Sequence, residues 1–258
     1  MGCAILKNVT IPISVTSIGN NAFKDCIALE FVSIPNSVLV IGNNVFQNCK
    51  SITSLIVPGR FGSNAFGGMS SLTSFNISTA VSGLFDYTFA SCTSLKSVVI
   101  PNTVVSISRW VFFGCTSLES IKIPNTVRAI GNYAFEDCKS ITSLVIPGSI
   151  DALSYGAFRG MTSLTSLTLL PGIKSIGGSA FTNCFALTTV IIPDSVTFIA
   201  DFAFSGCSSL NSVVIPDSVA SIAGLSTFSG CSALTCISFN VVIRSSYDGI
   251  NKPPCKPG

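Results

Sequence analysis

The chain is predicted to be an α/β repeat solenoid, with a parallel β-sheet on its concave face and short helical or 3₁₀ turns on the opposite side. Phenylalanine recurs at Phe23, Phe46, Phe66, Phe89, Phe112, Phe135, Phe158, Phe181, Phe204 and Phe228, with spacings of 23, 20, then 23 six times, then 24. Within each period an alternating apolar and polar stretch ends at or near a proline. Cysteine or methionine follows the phenylalanine by three residues. Self-similarity at a fixed period of this size is the signature of stacked coils. One coil cannot bury its own apolar side, so neighbours must share a continuous interior.

One unit shows how each element follows from its residues. In LESIKIP, Leu118 to Pro124, Ile121 and Ile123 point one way and Ser120 and Lys122 the other, which is the period of a strand. Pro124 has no amide to donate and closes the strand, and Asn125-Thr126 supplies turn chemistry. Gly131 permits a tight bend. NYAFEDC is then expected to form a short helical or 3₁₀ turn that sets Phe135 inside. Two units deviate. VPGRFGSNAF, Val57 to Phe66, has lost three residues, and Leu84-Phe85-Asp86 replaces the usual Ile-Gly step, so a local kink is expected there.

Ten units and a partial one at the start predict a single solenoid over residues 1–240 and a partial cap with an extended tail over 241–258, where Pro253, Pro254 and Pro257 stand. Cys3, Leu6, Val9, Ile11 and Pro12 match Cys26, Leu29, Val32, Ile34 and Pro35, so the chain opens inside a repeat. No signal peptide is visible in MGCAILKNV. Solenoids need polar ends, and an N-terminus without one predicts self-association or a longer array.

Composition narrows the function. Only 10% of residues are charged, and the net charge of +3 comes from scattered Lys and Arg, which gives nucleic acid no footprint. Apolar residues make up 48%, yet no stretch approaches the roughly 18 residues of a membrane span. There is no histidine, which removes the commonest general base and metal ligand. No carboxylate pair recurs at one register and no serine has a base beside it, so the reading is non-enzymatic, with no cofactor and no metal.

The cysteine column divides at Met69 and Met161 into Cys3, Cys26, Cys49; Cys92, Cys115, Cys138; and Cys184, Cys207, Cys231. Odd runs cannot pair completely between neighbours. Methionine can stand in for a buried apolar thiol but not for half a disulfide. The column therefore reads as an apolar spine of free thiols. Cys236 and Cys255 lie outside it and are the pair available for a C-terminal staple.

Outward strand positions are the candidate ligand surface: Lys96, Ser97, Glu119, Ser120, Lys122, Thr142, Ser143, Thr165, Ser166 and Thr168. Small β-branched and hydroxyl side chains also suit a curved sheet without any ligand. Lys96, Glu119 and Lys122 on neighbouring rungs read as a surface ion-pair cluster. Arg109-Trp110 interrupts the Ile-Gly register with the chain's only tryptophan. It is a candidate binding hot spot, or packing against the adjacent turn.

The pattern IP-x-x-V-x-x-I-G-x-x-A-F-x-x-C, as in Ile123 to Cys138, resembles the BspA-like, or Treponema-type, leucine-rich repeat, over nearly the whole chain. The resemblance implies a leucine-rich-repeat horseshoe without the ordinary repeat's asparagine ladder. It also implies a cell-surface or secreted protein that binds a protein or glycan ligand in adhesion. The alternative is an intracellular scaffold, in keeping with free thiols and no visible export signal.

Overall fold

The computed structural model describes residues 3–224 and 226–239. Every strand pairing is parallel, and each coil contributes up to two short strands to two separate ladders. The first ladder follows the expected alternation. Its strands are Asn8–Thr10 and Phe31–Ser33; then Ser74–Asn76, Ser97–Val99 and Ser120–Ile121; then Ser143–Ile146 and Ser166–Leu169; then Thr189–Ile191, Ser212–Ile215 and Cys236–Phe239. Hydrogen bonding joins the strands within each of these four groups but not between groups. Register advances by one period: Ser74 faces Ser97, Ser97 faces Ser120, and Ser143 faces Ser166.

A second ladder is built by the Val-x-x-Ile step that follows the proline turn. It holds two-residue strands such as Ser106–Ile107, Ala129–Ile130 and Ala152–Leu153, each with its second residue buried. Between the ladders the chain turns on the proline: the Val127 amide donates to the Pro124 carbonyl at 3.0 Å, and Val104 to Pro101 at 3.1 Å. In several coils the Ser or Thr two places after the proline locks this corner to the preceding coil. Thr103, Thr126 and Ser149 hydroxyls donate to the Val81, Val104 and Val127 carbonyls at 2.7, 2.8 and 2.6 Å.

The expected helical or 3₁₀ turns are not what closes the coil; the described residues contain no helix. Around Phe135 alternate amides go to different places. Tyr133, Phe135 and Asp137 donate forward to the Tyr155, Ala157 and Arg159 carbonyls at 3.0, 2.8 and 2.9 Å. Ala134, Glu136 and Cys138 donate back within the coil to Gly131, Tyr133 and Phe135 at 3.3, 3.2 and 3.2 Å. A helix needs successive amides turned along its own axis, and here half of them are spent laterally. The residues two before and two after the phenylalanine carry the reversal in the left-handed region, at φ 58° for Tyr133 and 59° for Asp137. The second of these positions is Asp25, Asn48, Gly68, Ser91, Gly114, Asp137, Gly160, Asn183, Gly206 and Gly230, mostly residues that tolerate positive φ. This makes a third, hydrogen-bonded column of turns. Gly131 serves a different need: a Cβ there would lie 2.6 Å from the Arg109 amide nitrogen of the preceding coil.

The interior is continuous from Ile11 to Ile237. The ten phenylalanines stack coil on coil with successive centroids 5.1–6.2 Å apart and planes within 21°. The short unit forms no first-ladder strand over residues 52–58. Phe61 takes the place of the usual isoleucine there and meets Phe66, Phe75 and Phe89 edge-on at 5.0, 6.2 and 6.2 Å. The aromatic cluster fills the interior across the deletion. Residues 241–258 and the Cys236–Cys255 pairing lie outside the described residues.

Candidate functional site

The strand alternation decides which side chains reach solvent. Ile121, Leu144 and Val98 turn inward, and all ten predicted surface residues, Lys96, Ser97, Glu119, Ser120, Lys122, Thr142, Ser143, Thr165, Ser166 and Thr168, are exposed. Pairing sets Ser74, Ser97 and Ser120 in one row and Ser143 beside Ser166 in another, with Val145 beside Thr168. Exposed Val99, Val145 and Ile191 add apolar rungs to this face.

Its charges are nearly balanced. Lys96 and Glu119 pair at 3.7 Å and Lys7 and Glu30 at 3.4 Å, both in solvent, where such pairs are worth little. Lys122, three residues after Glu119 on the same coil, has no ion-pair partner among the described residues. It stands where the first ladder breaks between Ser120–Ile121 and Ser143–Ile146. A pocket of about 360 Å³ opens there, lined by Lys122, Asn125, Ser143 and Val145 over Ile121, Ile123 and Pro147. Sequence reasoning placed Lys122 and Ser143 on this face but missed Asn125 and the apolar floor, because a break in first-ladder pairing leaves no mark in the repeat.

Arg109 and Trp110 are not on this face but on the turn column, and their contacts lie within the chain. The Arg109 guanidinium pairs with the Asp86 carboxylate at 2.8 Å and lies 5.5 Å over the Trp110 ring. The Arg109 amide donates to the second Asp86 oxygen at 3.0 Å. Trp110 stacks between Tyr87 at 5.0 Å and Tyr133 at 5.5 Å, with planes within 10°. All three aromatics sit two residues before their core phenylalanine with φ between 55° and 61°. Their common spacing of 23 was the available signal. The preceding coils hold a short side-chain ladder in this region: the Asn20 side chain accepts from the Asn43 amide at 2.8 Å, and that of Asn43 from the Ser63 amide at 2.9 Å.

The thiol column is free and, past exposed Cys3, buried. Burial raises the Cys49 and Cys92 thiols to about 12, and likewise raises Cys115 and Cys138. These sulfurs are neutral donors inside the core, with no thiolate available for chemistry at ordinary pH. No helix among the described residues is long and apolar enough to cross a membrane.

Comparison with known proteins agrees with this architecture. The model of the BspA type leucine-rich repeat region matches residues 1–94, 82–208 and 174–250. A leucine-rich cell surface protein of Faecalibacterium prausnitzii is 27% identical, with 98% of this chain and 83% of that one covered and a TM-score of 0.54. The pneumococcal vaccine antigen PcpA shares the fold at 18% identity, covering 91% of this chain and 72% of its own, with a TM-score of 0.56. A T. pallidum leucine-rich repeat protein is 28% identical over 70% of this chain and 78% of its own, at a TM-score of 0.49. No curated protein sequence matches the chain. Repeat period, parallel ladders and matching family model together place the chain in the BspA-type leucine-rich repeat family.

Proposed function

We propose that the chain is a non-enzymatic, surface-associated binding module that engages a protein or glycan ligand in adhesion through the outer face of the first ladder. The observation that carries this reading is the set of ten exposed residues in register across that face, with small hydroxyls flanked by exposed valines and isoleucines. Such a surface offers hydrogen bonds and apolar contact at little cost in side-chain ordering, and solenoids present extended surfaces of this kind. The turn column is the weaker candidate, since both faces of Trp110 are already covered by Tyr87 and Tyr133. The likeness to a cell surface protein of F. prausnitzii supports placement outside the cell. The reading is tested by capture from an array of purified matrix proteins and glycans, repeated with Thr142, Ser143, Thr165 and Ser166 each changed to Lys. Capture lost in the variants, with unchanged circular dichroism and thermal midpoint, supports it; equal capture by wild type and variants overturns it.

A second reading, an intracellular scaffold for protein–protein interaction, is favoured by the nine cysteines that are free among the described residues, which suit a reducing compartment. Fractionation of the source cells separates the two.

A further inference from the structure

On the first-ladder face, the break between Ser120–Ile121 and Ser143–Ile146 combines a pocket with an unpaired charge. Three features meet there. The Lys122 ammonium is exposed and has no carboxylate paired with it among the described residues, while Glu119, three residues earlier on the same coil, is already paired with Lys96 of the preceding coil. The Ser143 hydroxyl and Asn125 side-chain amide, both exposed, make no hydrogen bond to a described residue and stand at the same opening. Buried Ile121, Ile123 and Pro147 form an apolar floor, with exposed Val145 on the same outward side as Ser143, in a pocket of about 360 Å³, at the small end of the volumes that hold ligands.

This donor set has one charge sign. An ammonium, a hydroxyl and an amide can together satisfy the several lone pairs of a carboxylate. A cation would meet Lys122, and a wholly apolar group would leave three polar groups unsatisfied. The apolar floor asks for a branched hydrocarbon next to the carboxylate, about the size of one or two residues.

We propose that this break is a carboxylate-anchoring subsite, taking a carboxylate attached to a branched apolar group: the C-terminus of an apolar peptide, or an acidic side chain beside a valine or isoleucine. The proposal rests on the reading of the first-ladder face as the binding surface and names the chemistry of the group that anchors there.

The test is titration of the ¹⁵N-labelled full chain, followed by amide chemical shifts, with 3-methylbutanoate and its neutral isostere 3-methylbutanamide. Acetyl-Val-Val with a free C-terminus and acetyl-Val-Glu-amide then separate a terminal carboxylate from a side-chain one. The expected result is a saturable shift confined to residues 121–125 and 143–147, with the acid binding at least fivefold tighter than the amide. Lys122→Gln should abolish that selectivity and Lys122→Arg retain it. Equal response to acid and amide, shifts scattered over lysines elsewhere, or selectivity that survives Lys122→Gln would overturn the subsite. Acid-selective shifts together with undiminished macromolecular capture by the Thr142, Ser143, Thr165 and Ser166 variants would sustain the subsite and remove the broader binding face. Loss of capture without acid-selective shifts would remove the subsite alone.

Discussion

The thiol of Cys92 donates across one coil to the backbone carbonyl of Phe66, at 3.2 Å. The same bond recurs from Cys115 to Phe89 at 3.1 Å, Cys138 to Phe112 at 3.3 Å and Cys207 to Phe181 at 3.2 Å. Each such carbonyl already accepts the amide of its own coil's cysteine or methionine three residues on, as Phe66 does from Met69 at 3.3 Å. The sulfur fills the second lone pair. Methionine at positions 69 and 161 packs in the same column but cannot donate. The column is therefore more than an apolar spine: from Cys49 on, each cysteine ties its turn to the one before it, and the two methionine turns lack that bond.

Replacing Cys115 by Ala removes a fully buried sulfur and its bond to Phe89 together. We expect a loss of about 1–3 kcal/mol in denaturant unfolding. A change below the error of the measurement would show that the bond and the packing contribute nothing.

The buried thiols set an alkaline limit. Ordinary thiols ionise near 9, and burial holds Cys49 and Cys92 neutral to about 12. Below 9 the folded and unfolded chains bind the same number of protons at these sites. Above 9 the unfolded chain alone loses them, so stability falls as pH rises towards 12, by up to about 1.4 kcal/mol per pH unit for each thiol. Denaturation midpoints measured from pH 8 to 11 should decline, and more gently in the Cys49→Ala, Cys92→Ala double variant. Identical slopes would contradict the assignment.

Phe135 is fully buried and stacks on Phe112 at 5.1 Å and Phe158 at 5.5 Å. Phe135→Ala should cost about 3–5 kcal/mol, and because coils contact only their neighbours the damage should be local. Hydrogen exchange should quicken between residues 112 and 158 and stay unchanged at Asn8–Thr10. Uniform loss of protection along the chain would show a coupling this architecture does not provide.

Trp110 combines a stacked ring with a φ of 55°, a conformation that costs a bulky residue roughly 1–2 kcal/mol. Trp110→Ala loses the stacking and keeps the backbone cost, whereas Asn tolerates that φ and already occupies this column at Asn21, Asn44 and Asn64. The thermal midpoint should fall in both variants, and less for Trp110→Asn. The reverse order would mean that the backbone strain is not real.

What the sequence made legible follows from how many coils repeat a signal. Ile121 and Ile123 inside with Ser120 and Lys122 outside could be read directly from a two-residue alternation, as could the phenylalanine column from its spacing. The second ladder could not, because a strand as short as Ala129–Ile130 completes no period. The turn was misread as helical. NYAFEDC has helix-compatible residues at its centre, and the contrary evidence lies across coils, in the recurring Asp, Asn, Ser and Gly two places after phenylalanine. The Tyr87, Trp110, Tyr133 stack was half legible: packing of Trp110 against the adjacent turn could be read from the sequence, but its two tyrosine partners are informative only at their shared offset. The pocket at Lys122 lies where pairing in the first ladder is interrupted while the turn column continues, which no residue type announces.

The most direct test of coils sharing one sulfur- and phenylalanine-lined interior is residue-by-residue alkylation, read by mass spectrometry, of the native chain and of the denatured chain without reductant. Cys26, Cys49, Cys92, Cys115, Cys138, Cys184, Cys207 and Cys231 should resist modification in the native state, with exposed Cys3 reacting readily, and all nine should react fully once unfolded. Ready native modification along the column, or sulfurs still blocked after unfolding, would contradict the account.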